Sequence, residues 1–332
     1  MARPPISPVS WQPPTAPARA RRARSARPLP PLRLLDIVGR GPEDVLVDGE
    51  GRVLAGVVDG RILRLAPDNR RVEVLADTGG RPLGLEWLPD GGLLVCDARR
   101  GLLRVDLDAA GVTTLVSEVD GVPMVFCNNA AVSPDGTVYF SDSSRRFGID
   151  AWKADLLEHS GTGRLLRRGL AAEVTVLLDG LQFANGVALA PDGSFLVVAE
   201  TAAYRLRRLW ITGPRAGDSE VFVDNLPAFP DNISTGTDGL IWVAMGSPRD
   251  RNLDRLLPRG PALRKAVWAV PDRLQLRPQS TVWVYALSPD GAVVHDLQAP
   301  GGRFRFVTGV REHHGTVYMG SLIGDAVGAF DL

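Results

Sequence analysis

The chain has 332 residues, with 38 Lys and Arg set against 38 Asp and Glu and 45% of residues hydrophobic, a globular balance with material for a sizeable core. Residues 1–30 hold six arginines and no acid, which leaves 32 basic against 38 acidic residues in the rest; this mildly acidic body gives no basis for nucleic-acid binding. No apolar stretch approaches about 18 residues, so no transmembrane helix is expected. Two cysteines, Cys96 and Cys127, each lie inside an apolar run and are too few for a secreted disulfide framework. They are expected to be buried free thiols in a cytoplasmic protein.

The first thirty residues are rich in Pro, Ala and Arg and lack the continuous apolar stretch of a secretory signal. They are expected to be disordered, or extended along the surface, with no function of their own. From residue 41 one pattern recurs: an apolar strand, an acid–glycine turn and a second apolar strand. The turns are Glu50-Gly51, Asp90-Gly91, Asp135-Gly136, Asp192-Gly193, Asp238-Gly239 and, with histidine replacing the acid, His314-Gly315. Apolar alternation around a tight turn marks a hairpin. A second hairpin follows most of them, as in 60–77 and 101–118. Four strands per unit, repeated every 40 to 57 residues or so with an enlarged fifth unit, predict an all-β, six-bladed β-propeller of four-stranded antiparallel blades over residues 31–332. The last unit stops one strand short, and LRLLDIVG (32–39) supplies it, closing the ring and removing exposed edges.

Counting seven residues back from the acid or histidine of each turn reaches Glu43, Leu83, Asn128, Asn185, Asp231 and Val307. Equivalent positions face the central channel at one height, so four of these six present carboxylate or amide oxygen to the axis. Insertions at about 145–162 and 246–279 fall between second and third strands and are expected to overhang that ring as lids. Hard oxygen donors without His or Cys suit Ca²⁺, alternatively Mg²⁺ or Mn²⁺, and not Zn²⁺. The bland alternative is a hydrated polar channel, but Glu43 and Asp231 facing one axis repel unless a cation sits between them.

These residues carry a resemblance. GPEDVLVDGEGRVLAG (41–56), FCNNAAVSPDGTVYFSDSS (126–144), FANGVALAPDG (183–193), FPDNISTGTDGLIWVA (229–244) and REHHGTVYMGSL (311–322) resemble the strictosidine-synthase-like branch of the calcium-dependent phosphotriesterase propellers, which include gluconolactonase, regucalcin, paraoxonase and diisopropylfluorophosphatase. The resemblance implies a metal held by Glu43, Asn128, Asn185 and Asp231, with Asn232 as an auxiliary ligand or a supporting group. It implies Asp231 as the catalytic base or nucleophile of a lactonase- or arylesterase-type hydrolase. Two departures stand out. The acid that serves a second, structural calcium is Asn129 here, and the glutamate that strictosidine synthase itself uses just upstream of its EHDG-like segment has no counterpart in FRFVTGV (304–310), where Thr308 stands.

Three functions therefore compete: metal-dependent hydrolysis of a lactone or ester, a strictosidine-synthase-like condensation, and a non-catalytic calcium-stabilised ligand-binding propeller. The apolar lids, with Phe147, Trp152, Leu156, Leu157, Leu256 and Trp268, point to a small-molecule substrate that is partly hydrophobic. His159 in the first lid is expected on the surface of a short helix, or else at the mouth as a proton carrier. His313 and His314 are expected as turn residues, and Asp97 and Asp142 as caps of backbone donors. Ser143 and Ser144 lack a G-x-S-x-G context and an identifiable base.

Overall fold

The computed structural model describes residues 3–66, 71–109, 111–271 and 279–332. Six four-stranded antiparallel sheets follow one another along the chain. Blade 1 is Val45–Val47, Val53–Gly56, Arg61–Leu65 and Val72–Asp77, and blade 2 is Pro82–Trp87, Leu93–Asp97, Gly101–Asp106 and Gly111–Val116. Blade 3 is Cys127–Val132, Val138–Asp142, Gly163–Arg168 and Val174–Leu181; blade 4 is Ala184–Leu189, Phe195–Glu200, Arg205–Trp210 and Ser219–Val223. Blade 5 is Ala228–Thr235, Ile241–Pro248, Thr281–Leu287 and Val293–Pro300. Blade 6 takes Val307–His313, Thr316–Ser321 and Ala326–Asp331 from the end of the chain and Arg33–Asp36 from its beginning, with Arg33 opposite Ala329 and Asp36 opposite Ala326.

The hydrophobic core lies between blades rather than within one. Leu46, Leu54, Ile62, Leu85, Val95 and Leu103 join blades 1 and 2, and equivalent clusters join each following pair. Leu35, Val45, Val53, Leu63 and Val327 join blade 6 back to blade 1, so all six interfaces are apolar and the ring is closed. Each of the six hairpin glycines has positive φ, from 70° at Gly193 to 93° at Gly136, a region that a Cβ penalises. The turn acids Asp90, Asp135, Asp192 and Asp238 accept the backbone N–H two residues on, which is why an acid precedes the glycine.

The first strand of blades 2 to 6 carries a bulge near its start, spanning Leu83-Gly84, Asn128-Asn129, Asn185-Gly186, Asp231-Asn232 and Thr308-Gly309. Glu43-Asp44 occupies the corresponding place before blade 1. The first member of each pair lines the channel. In blade 6 that member is Thr308, and Val307 is instead buried in the core between blades 5 and 6. The offset has a plain cause. The sixth hairpin pairs His313 directly with Thr316 across a two-residue turn with φ of 49° at His314 and 85° at Gly315, whereas Val132 pairs with Val138 in blade 3. Counting back from a shorter turn lands one residue early.

Both insertions are helical. The first holds α1 (Trp152–Glu158); the second holds α2 (Arg251–Leu256) and α3 (Pro261–Ala269), and its residues 272–278 lie outside the described set. The second begins after Pro248, because the strand that precedes it is longer than the sequence suggests.

Of the two states expected for the N-terminal segment, the extended one is found. Ile6 is 3% exposed among Phe147, Ala154, Leu157 and Trp268. Ser7 N–H donates to Glu158 Oε2 (2.6 Å), Val9 N–H donates to Glu158 O (2.8 Å), and Trp11 stacks on His159 at 4.1 Å. Arg249 then donates to Pro14 O, and Arg19 reaches Asp296 and Gln298 on the outer strand of blade 5. The segment is a strap that clips α1 and α3 together. Its prolines (Pro4, Pro5, Pro8, Pro13, Pro14, Pro17) leave it little chain entropy to lose on docking.

Trp11→Ala is expected to lower the melting temperature by about 2–4 °C, and removal of residues 3–28 by more, as read by calorimetry; an unchanged transition would mean that the strap adds no stability. Deleting 33–36 removes a paired strand from the closing blade, and the expected product is aggregated on gel filtration. A monodisperse, two-state product would contradict closure by this strand.

Candidate functional site

The first bulge residues converge at one end of the channel, and the lids build walls above them. Together they enclose a cavity of about 530 Å³. Its floor is Glu43, Asn128, Asn185 and Asp231, four of the five residues expected there, together with Thr201 and Thr308. Leu83 also faces the cavity. Asn232 does not line it; from behind, its Nδ2 donates to both carboxylate oxygens of Glu43, each at 3.1 Å.

The floor is held tightly from outside. Asn128 Nδ2 donates to Ser143 Oγ (2.8 Å), and that hydroxyl donates to Ala184 O (2.6 Å), so Ser143 is an anchor for Asn128. Asn185 Nδ2 donates to Thr201 Oγ1 (3.1 Å) and Asp231 Oδ1 (2.7 Å). Each amide thus spends its nitrogen on the scaffold. The Oδ1 atoms of Asn128 and Asn185 are buried and have no protein partner, as is Oδ1 of Asn232. Buried polar atoms are normally satisfied, and acceptors left over beside two carboxylates are what a hard cation takes up. The carboxylates tell the same story. Burial, then the neighbouring charges of Asp231 and Asp44, raise Glu43 well above the usual range, with Arg81 and Asn232 opposing. Burial pushes Asp231 up to about 7 against its hydrogen bond from Asn185. Among the described residues no three His, Cys, Asp or Glu side chains converge, so the donor set is two acids completed by amides. The residues present fit a divalent oxygen-loving ion.

Below the floor the second bulge residues form another storey. Asp44 accepts from Leu85 N–H and from Asn129 Nδ2 (3.3 Å each), and Asn129 Oδ1 accepts from Val187 N–H (2.9 Å). Burial pushes Asp44 up to about 6 against the charge of Arg311, which is paired with Glu86 at 3.0 Å. The negative charge of this storey is therefore met by an arginine.

Sequence reasoning missed Arg81. It is 2% exposed, donates through Nη2 to Gly41 O (2.9 Å) and braces the segment carrying Glu43. Only its neighbour Leu83 is in the repeat column, so periodicity carried no signal for it. His159 was expected outside or at the mouth, and the structure corrects both readings: it is 3% exposed beneath Trp11, and burial together with Arg264 and Arg205 lowers it to about 4. Asp142 pairs with the buried Arg164 at 2.6 Å beside the Phe126 backbone, and Asp97 accepts from the N–H groups of Arg81, Arg99 and Arg100 as expected. Cys96 and Cys127 are buried and free.

No helix among the described residues is long and apolar enough to cross a membrane. The chain matches the strictosidine synthase family over residues 128–214 and the strictosidine synthase-like N-terminal family over 29–65. It is 34% identical to the adipocyte plasma membrane-associated protein of Rattus norvegicus, covering 87% of this chain and 82% of the relative. It is also 34% identical to strictosidine synthase-like protein 3 of Arabidopsis thaliana, covering 91% and 84%. Among solved structures, a gluconolactonase of Xanthomonas campestris superposes with a TM-score of 0.66 at 17% identity over 100% of this chain and 98% of that one. The calcium-binding protein regucalcin of Agrobacterium tumefaciens does so with 0.61 at 16% over 88% and 93%. The structural likenesses speak for the fold, and the sequence identity over most of both chains speaks for kinship: the protein belongs to the strictosidine synthase-like family of six-bladed β-propellers.

Proposed function

We propose that the protein is a calcium-dependent hydrolase of a lactone or ester. One observation carries the reading: the buried, unpartnered Oδ1 atoms of Asn128 and Asn185 beside the carboxylates of Glu43 and Asp231. Glu43, Asn128, Asn185 and Asp231 would hold the ion, with Asn232 supporting Glu43 from behind. A bound divalent cation supplies Lewis-acid polarisation of the substrate carbonyl. The chain supplies the rest. Asp231 is the floor carboxylate that remains partly exposed to the cavity, and Asn185 fixes its Oδ1. Its Oδ2 lies beside Gly246, where an added Cβ would approach it to 3.2 Å, so the glycine keeps the approach open. From that position Asp231 acts as general base on water or as nucleophile. As base, Asp231 takes a proton from water as the water oxygen adds to the carbonyl carbon and the bond to the alkoxy oxygen breaks. As nucleophile, it adds to that carbon while the alkoxide leaves, and water then cleaves the resulting mixed anhydride. In both routes a proton passes to the alkoxide, giving acid and alcohol. The shared fold with a gluconolactonase and with the calcium-binding protein regucalcin supports this reading.

Membership of the strictosidine synthase-like family supports a condensing enzyme as the second reading. Against it, Thr308 stands on the floor where a carboxylate is needed, and its hydroxyl is already given to Glu43 O at 2.8 Å.

Asp231→Asn keeps an oxygen ligand but removes a charge and the base, so turnover is expected to fall by about a thousandfold or more while calcium still binds when plentiful. Glu43→Gln is expected to weaken calcium binding by roughly tenfold or more, with activity recovered by excess calcium. Chelation should lower the melting temperature, since an ion bound only by the native state stabilises it by mass action. A melting curve indifferent to chelator, with full activity in Asp231→Asn, would reject a metal-dependent hydrolase.

A further inference from the structure

The cavity above the floor has a composition that selects its ligand. Among the described residues that line it, polar side chains gather on the floor and at the rim, the latter including Lys153, Asp250, Asn252 and Gln279, with Ser247 between them. On the floor, beside the four oxygen donors, the hydroxyls are already committed: Thr201 Oγ1 donates to Pro230 O at 2.7 Å, and Thr308 Oγ1 to Glu43 O at 2.8 Å. In the wall, Ser247 Oγ donates to Pro248 O and accepts from Gln279 N–H. At the rim, Lys153 lies over the Trp152 ring, and Asp250 accepts from Asn252 and Leu253 N–H as the cap of α2. Between floor and rim, Ser247 apart, the described lining is hydrocarbon. Phe126, Phe183, Phe229 and Phe306 surround the floor, and Leu156 with Leu263 represents the apolar faces of the lids.

We infer that the substrate is a lipophilic lactone or ester: its carbonyl is the single polar group presented to the floor, and an uncharged hydrocarbon part fills the chamber beneath the lids. This rests on the hydrolase reading of the floor but sets the substrate class separately. A polyhydroxylated sugar lactone is excluded, despite the shared fold with a gluconolactonase. Its hydroxyls would leave water for a wall whose described residues are hydrocarbon apart from the committed Ser247, at a cost of about tenfold or more in affinity for each one left unpaired. Conversely, each methylene taken from water into such a wall favours binding by roughly fourfold.

The test is a homologous series with calcium present: γ-butyrolactone, γ-octanolactone and γ-dodecanolactone against glucono-δ-lactone. The expected result is kcat/KM rising by about fourfold per methylene until the chamber is full, with glucono-δ-lactone at least about a hundredfold below γ-octanolactone. A second arm needs no catalysis. Displacement of the neutral fluorophore N-phenyl-1-naphthylamine is measured with alkanols of increasing length and with glucitol; displacement should strengthen with chain length and be absent with glucitol. Leu156→Gln should flatten both slopes, and Leu263→Gln, at a half-exposed position that tolerates a polar residue, provides the same reading if the first variant does not fold. Chain-length-dependent displacement without hydrolysis of any lactone would remove the hydrolase reading and leave the apolar ligand class standing. Turnover of glucono-δ-lactone equal to that of γ-octanolactone, or a flat dependence on chain length in both arms, would overturn the inference while leaving the hydrolase intact.

Discussion

Crowding at the central axis governs this molecule. Six innermost strands approach one line, and their backbones meet there only because neighbouring bulges interlock. A Cβ added at Gly84 would strike Asn129 Cα at 2.7 Å, one at Gly186 would meet Ile233 N at 2.1 Å, and one at Gly309 would meet Asp44 Cα at 2.6 Å. The even blades thus give way with glycine, and the odd blades fill the gap with Asp44, Asn129 and Asn232. Bulges re-aim side chains at the rims of sheets. Here the same device points one residue of each pair into the cavity and turns the other against its neighbour. The floor and the storey below it are consequences of one backbone solution repeated in five blades, with Glu43-Asp44 standing at the same place before the first strand of blade 1.

That repetition also explains what could be read in advance. Blade number, turn glycines and closure by residues 33–36 follow from a two-residue alternation and a turn whose chemistry is local. The column Glu43, Asn128, Asn185 and Asp231 was legible because equivalent positions in a repeat share a height. It failed at Val307 for an equally local reason, a two-residue turn at His314-Gly315 that shortens the count. The strap, the burial of His159 and the brace of Arg81 were not legible. Each depends on surfaces distant in sequence: Ile6 has a place to go only once Phe147, Leu157 and Trp268 are assembled, and nothing in residues 1–30 announces that surface.

In the proposed hydrolase, floor and lids divide the labour of recognition. The floor gathers charge that the fold must pay to bury, as the raised acids Glu43 and Asp231 record. The described residues of the lids add no charge deep in the cavity, and by walling it with hydrocarbon they strengthen whatever electrostatics operate below. α1 rests on Leu83, Phe126 and Phe183 through Trp152 and Leu156, and it is held against α3 both by Arg264 Nη1, which donates to Leu157 O at 3.1 Å, and by the strap residues Ile6 and Trp11 with the Glu158 backbone and carboxylate. Specificity in the proposed enzyme would therefore be assembled from a rigid ring and from a roof held partly by a segment outside the repeat.

The pairing of Arg33–Asp36 with Ala326–Asp331 has a further consequence for how the molecule is made. Every other blade is local in sequence and can form as soon as its own strands have emerged. The closing blade joins segments nearly three hundred residues apart, about fifteen seconds to a minute of synthesis at ordinary ribosomal rates. Through that interval the Arg33–Asp36 strand waits with its backbone unpaired, and blades 1 to 5 form an open arc with two apolar faces. Long-range closure of this kind is slow because the loop entropy is spent before the contacts return it. The strand Ala326–Asp331 thus completes two blade interfaces at once: with Arg33–Asp36 beside it, the open arc becomes a ring without an unpaired edge.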